Sequence, residues 1–165
     1  MPIIYRRGDL FAGARTPGVT RLVAHVVNDV GGWGAGFTRA VSRFSPIPEH
    51  RYRAWANDPH RISFKLGHVQ PVHTEDPEVV VINLLAQHGY SRRDEPAIQY
   101  DALRLCLRKV RHVYERTNAT RMAEIVMPRI GCGLAGGQWS VVSAIIADEL
   151  AGIPVTVYDL AELPT

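Results

Sequence analysis

Apolar positions along the chain follow two rhythms. Residues 21–27 (RLVAHVV) and 78–85 (EVVVINLL) are nearly continuous apolar runs rich in β-branched side chains, the pattern of strands covered on both faces. Shorter runs at 3–5, 67–72, 124–127 and 154–158 predict four further strands. Between them the spacing turns helical. Ile98, Ala102, Leu105, Val110 and Val113 mark a helix over 96–116, and Val141, Val142, Ile145, Ile146 and Leu150 mark another over 138–150. Residues 37–44 and 49–57 predict two short helices. Pro96 suits the first turn of the helix it opens, with Asp94 as its cap. Strands alternating with helices imply an α/β layered domain around a mostly parallel sheet. In such sheets ligands bind beyond the carboxyl ends of the strands. No linker, low-complexity tract or repeat interrupts the pattern, so residues 1–165 read as one domain.

Two segments break the apolar rhythm in the same way. HVVNDVGGWGAGF (25–37) and MPRIGCGLAGGQW (127–139) each follow a predicted strand and precede a predicted helix. Both glycine loops therefore belong at one edge of the sheet. A loop without Cβ atoms can turn its backbone N–H groups into a concave anion seat, and a following helix adds free N–H groups of its own. Tight turning is the other use of such glycines. Two seats at one edge favour phosphate binding, with a diphosphate gripped between them. The glycines match neither the G-x-G-x-x-G nucleotide fingerprint nor a P-loop, since no glycine-lysine-serine/threonine triplet is present.

Composition narrows the picture. The chain has 165 residues, 46% of them hydrophobic and 21% charged, which reads as soluble and globular. No apolar run has the length of a bilayer span, and the first residues lack a signal-peptide layout, so a cytoplasmic location is expected. The net charge is +3, and the chain has only two lysines, Lys65 and Lys109, so its positive charge is nearly all arginine. Arg39, Arg43, Arg51, Arg53 and Arg61 lie in one stretch; solvated helix faces are the first reading and a nucleic-acid groove the second. Cys106 and Cys132 suggest neither a disulfide framework nor a metal knuckle. His60, His68 and His73 lack zinc-pair spacing, and no metal is expected.

The order and spacing of YRRGDLF, the two glycine loops and VTVYDL resemble the macrodomain family over nearly the whole chain. The resemblance is strongest to the terminal ADP-ribose protein glycohydrolases, and the first loop is also similar to that of the yeast ADP-ribose 1″-phosphate phosphatase. It implies a three-layer α/β/α sandwich around a mixed, mostly parallel sheet, with ADP-ribose as ligand and no cofactor. It implies that Asp9, Leu10, Tyr158 and Leu160 face the adenine. It further implies that Gly31, Gly32, Trp33, Gly34, Ala35 and Gly36 approach the distal ribose and its phosphate. Gly131, Cys132, Gly133, Leu134 and Ala135 would cradle the diphosphate from the other side, with Asn28 on a ribose hydroxyl.

The chain departs from the glycohydrolase pattern at both chemical positions. Gln87, or His88 one residue on, stands where those enzymes carry a lysine nucleophile, and Ala135 where they carry an aspartate. A lysine adduct is therefore not expected. Three readings follow from the resemblance. One is water-based removal of mono-ADP-ribose from modified protein carboxylates, with Asn28 orienting the ribose and Gln87 or His88 near the leaving group. The others are ADP-ribose 1″-phosphate hydrolysis, with His25 or His88 as proton carrier, and ADP-ribose binding without chemistry. The expected partners are ADP-ribose and mono-ADP-ribosylated protein, with modified nucleic acid less favoured, no membrane, and a monomeric chain. Bland roles are expected for His25 as a hydrogen-bonded core residue, Cys132 as a small loop residue and Trp139 as core. Trp33 is divided between ribose and packing.

Overall fold

In the computed structural model, which describes residues 2–13, 15–60, 62–91 and 95–159, six strands form one sheet. They are β1 (Ile4–Arg7), β2 (Thr20–Asn28), β3 (Val69–His73), β4 (Val79–Gln87), β5 (Ala123–Pro128) and β6 (Val155–Asp159). The helices are α1 (Thr38–Phe44), α2 (Ile47–Asn57), α3 (Tyr100–Asn118) and α4 (Trp139–Glu149). The sheet order is β1-β6-β5-β2-β4-β3; every neighbouring pair is parallel except β3 with β4. The expected mixed, mostly parallel sheet is therefore present.

Side-chain alternation along β2 sorts the two faces. Leu22 and Ala24 join Ile82, Leu84, Ile125 and Met127 beneath α3 and α4, packing on Leu103, Cys106, Leu107, Val142 and Ile146. Val23 and Val27 point the other way, toward Val41 of α1 and Tyr52 and Ala56 of α2. The eight residues from Val79 to Ala86 are all buried, as a strand with helices on both sides requires. Three layers result.

One sequence expectation is corrected. Pro96 does not open α3, which begins at Tyr100 after an extended Gln99. Residues 96–98 instead run beside the end of β4. Ile98 bridges Gln87, His88 N–H donates to the Ala97 carbonyl at 2.8 Å, and Gln99 N–H donates to the Ala86 carbonyl at 2.8 Å. Pairing with a buried strand end satisfies backbone groups that a longer helix would leave facing the sheet. Asp94 lies outside the described residues.

Candidate functional site

β2, β4, β5 and β6 all end at one edge, and a cavity of about 930 Å³ opens there between the two glycine loops. The first loop (29–37) is organised by Asn28, which is buried at the end of β2. Its Oδ1 accepts from the N–H groups of Val30 (3.1 Å) and Gly32 (2.9 Å), and its Nδ2 donates to the Gly32 carbonyl (3.2 Å). The Tyr52 hydroxyl donates to the Asn28 backbone carbonyl (2.5 Å) and reaches its Oδ1 (2.9 Å). Burial holds that phenol above its ordinary range, so it stays a donor.

Three carbonyls of this loop are taken by side-chain donors. Arg53 reaches Gly31 O at 3.2 Å, Arg39 reaches Gly34 O at 2.8 Å, and the Thr38 hydroxyl donates to Ala35 O at 2.7 Å. Among the described residues, the N–H groups of Ala35, Gly36 and Phe37 have no acceptor. The second loop (129–138) repeats this. Gly137 N–H donates to Gly131 O (2.7 Å), Gly136 N–H to Gly133 O (3.1 Å), Ser91 Oγ to Leu134 O (2.6 Å) and Ile98 N–H to Ala135 O (3.1 Å). The N–H groups of Gly131, Gly133, Leu134 and Ala135 have no acceptor among the described residues. The loops come together at the rim, where a methyl on Gly36 would lie 3.6 Å from Leu134 Cδ1. Two rows of donors without protein acceptors among the described residues thus belong to loops that line one cavity, an arrangement chemically suited to an anion.

Most residues singled out from sequence line this cavity: Asn28, Gly32, Trp33, Gly34, Ala35, Gly36, Gln87, Gly131, Cys132, Gly133, Leu134, Ala135 and Tyr158. Gly31, Asp9, Leu10 and His88 do not. Asp9 is exposed and its carboxylate accepts from Phe11 N–H at 2.9 Å; Leu10 is buried in the core beneath. The exposed His88 ring turns to Asp29, 2.7 Å from Nδ1 to Oδ2. Leu160 lies outside the described residues. Trp33 lines the cavity, and its Nε1 donates to Ser42 Oγ at 2.8 Å, which packs it against α1. Tyr90, Ser91, Arg129 and Asp159 also line the cavity and were not anticipated: the first two come from the loop after β4, which carries no glycine pattern like the other two, and the last two sit within quoted motifs whose glycines and Tyr158 drew the assignment.

Buried Arg21 supports the Tyr158 wall. Its guanidinium donates to the Leu10 carbonyl (2.8 Å) and Tyr158 hydroxyl (3.2 Å) and pairs with Glu124 (2.9 Å). At the mouth, Arg129 pairs with Asp159, holding that carboxyl below its ordinary range, and lies over the rings of Tyr5 and Trp139. Trp139 is half-buried against the core, and its Nε1 donates to Tyr5.

Candidate nucleophiles and bases are subdued. Burial raises the Cys132 thiol, only partly offset by Arg129, so it rests protonated. Cys132→Ser is therefore expected to change any turnover less than about threefold, checked by initial rates and by slow alkylation of the wild-type thiol. His25 is buried in β2, with Nε2 2.5 Å from Asn83 Oδ1 and its pKa lowered to about 4, mainly by desolvation. Gln87 is held by its own loop, donating to Gly89 O at 2.8 Å. Among the described residues, no three His, Cys, Asp or Glu side chains gather to hold a metal.

No protein-family model matches the chain. A curated relative, the ADP-ribose 1″-phosphate phosphatase of Lodderomyces elongisporus, is 25% identical over 163 residues, covering 96% of this chain and 98% of that one. A solved structure from Bacteroides thetaiotaomicron, described as a protein of unknown function, is 40% identical, covers 97% and 99% of the two chains, and superposes with a TM-score of 0.85. The macrodomain protein of Streptomyces coelicolor is 45% identical, covers 95% and 98%, and superposes with a TM-score of 0.77. That identity, spread over almost the full length of both chains, makes this protein a member of the macrodomain family.

Proposed function

We propose that the cavity binds ADP-ribose with its diphosphate between the two glycine loops, and that the protein hydrolyses mono-ADP-ribose esters of protein carboxylates with water as nucleophile. The observation that carries this reading is the pair of N–H rows on two loops lining one cavity, at Ala35–Phe37 and at Gly131 with Gly133–Ala135, each without acceptors among the described residues while several carbonyls of the same loops accept from donors. Fixed donors of this kind bind a diphosphate without lysine and need no rearrangement to do so.

In the reaction, a water oxygen bonds to ribose C1″ as the C1″–O bond breaks. The electron pair leaves on the carboxylate, and the surplus water proton passes to solvent. The transition state resembles an oxocarbenium ion, and the leaving group is only weakly basic. Positioning and charge stabilisation suit this better than a strong nucleophile does, in keeping with the subdued Cys132, Gln87 and His25. Phosphate release from ADP-ribose 1″-phosphate is a second reading, favoured by the full-length likeness to a phosphatase of that compound.

Calorimetry with ADP-ribose and AMP tests the binding, and a panel of protein carboxylate ester and 1″-phosphate substrates tests the chemistry. We expect ADP-ribose to bind at least about 100-fold more tightly than AMP, and the ester to release ADP-ribose. Asn28→Ala, which removes three hydrogen bonds from the first loop's frame, is expected to lower both affinity and rate about tenfold or more. Equal affinity for AMP removes the diphosphate clamp. Tight binding with no release from either substrate reduces the protein to a reader of ADP-ribose.

A further inference from the structure

The loop after β4 is fastened to both glycine loops. At its start, Gly89 N–H (2.8 Å) and His88 Nδ1 (2.7 Å) meet the carboxylate of Asp29, which opens the first loop. At its far side, Ser91 Oγ donates to Leu134 O of the second loop (2.6 Å) and accepts from Ala97 N–H (3.1 Å). Tyr90 is held between these two anchors. Tyr90 is 66% exposed, yet its hydroxyl comes down onto the first loop. A methyl on Gly32 would lie 2.1 Å from that hydroxyl and 2.8 Å from Asn28 Nδ2. The approach exists only because residue 32 has no Cβ.

The Tyr90 hydroxyl and the Asn28 amide thus flank one point on the cavity wall. Tyr90 Oη makes no hydrogen bond to the protein among the described residues, and Asn28 Nδ2 gives one of its two N–H groups to Gly32 O. A free O–H, which both donates and accepts, and a free N–H converge at Gly32, in the cavity that Ala35, Gly36 and Phe37 also line. This chemistry recognises a hydroxylated ring, whose oxygens also donate and accept. The far end of the cavity differs: Arg129, Asp159 and Tyr158 present a paired charge and a flat ring.

We propose that Tyr90 is a specificity-determining residue that, with Asn28, holds the hydroxylated ring attached beyond the second phosphate, and so fixes where the scissile bond lies. The inference rests on the diphosphate reading of the two loops. Because Tyr90 sits outside the core and both its neighbours are anchored by other residues, removing its hydroxyl leaves the fold intact.

The test is Tyr90→Phe, titrated calorimetrically with ADP-ribose and with ADP, which lacks the distal ring. The expected result is an ADP-ribose affinity reduced about five- to tenfold, an ADP affinity within about twofold of wild type, and an unchanged unfolding midpoint. Unchanged affinity for both ligands overturns the proposal. So does an equal loss for both, which would mark a merely structural role. If the wild type binds ADP as tightly as ADP-ribose, the diphosphate seat stands and the Tyr90 proposal falls. If it binds neither, both fall together.

Discussion

Gly137→Ala is expected to lower ADP-ribose affinity by a factor of about 100 or more, or roughly 3 kcal/mol. A methyl at this position would lie 2.4 Å from the Gly131 carbonyl oxygen, 3.2 Å from that carbonyl's carbon and 3.2 Å from Ile98 Cγ2. The obstacle is backbone, which cannot swing aside as a side-chain tip can. Gly137 N–H also donates to that same oxygen at 2.7 Å, so the two ends of the second loop touch and close it into a ring. Forcing them apart costs about 1–3 kcal/mol of stability. It also shifts the N–H groups of Gly131 and Gly133–Ala135, residues that line the cavity. Gly133→Ala is the control for the fold, because its methyl would meet nothing within 4 Å and the unfolding midpoint should not move. Calorimetry and thermal unfolding of the two variants decide the matter. Wild-type affinity in Gly137→Ala would show that this loop does not seat the ligand.

Between pH 6.5 and pH 4 the protein is expected to lose about 3 kcal/mol of stability through His25 alone. The Asn83 amide donates to Gln70 Oε1 at 3.1 Å and to the Pro48 carbonyl at 3.4 Å, so its Oδ1 is left to accept from His25 Nε2–H. Nδ1 is then the unprotonated nitrogen; it is buried and has no partner among the described residues. The neighbouring rings of Trp33 and Phe37, at 5.3 and 5.9 Å between centroids, offer no counter-charge. Protonating the ring in the fold would bury an unpaired charge, and desolvation lowers its pKa from the ordinary 6.5 to about 4. In the unfolded chain the same ring takes up a proton near its ordinary pKa. The stabilisation is therefore complete above pH 6.5 and is lost as pH falls toward 4. Denaturant unfolding across this range checks it, with His25→Gln as comparison, since its amide can still donate to Asn83 but does not titrate. Parallel curves for the two proteins would remove the explanation.

The elements and the site were legible in the sequence to different degrees. Continuous β-branched runs announced β2 and β4, because a strand buried on both faces has no polar positions to interrupt it. The placement of the glycine-rich loops after predicted strands assigns both loops to the carboxyl edge of the sheet. The start of α3 was misread, because Pro96 obeys a local helix rule while the end of β4 offered residues 96–98 a better set of backbone partners.

By itself the sequence determined the alternation of strands and helices, the location of both glycine loops and the absence of lysine from either of them, since each of these is a local property of side-chain type and spacing. Only the tertiary structure decided that β2 lies between β4 and β5, which brings loops about a hundred residues apart across one cavity. It also decided that His88 turns away to Asp29 while Tyr90 comes down on Gly32. Strand order and side-chain direction are settled by which buried faces and backbone donors find each other in space, and spacing along the chain carries no record of that choice.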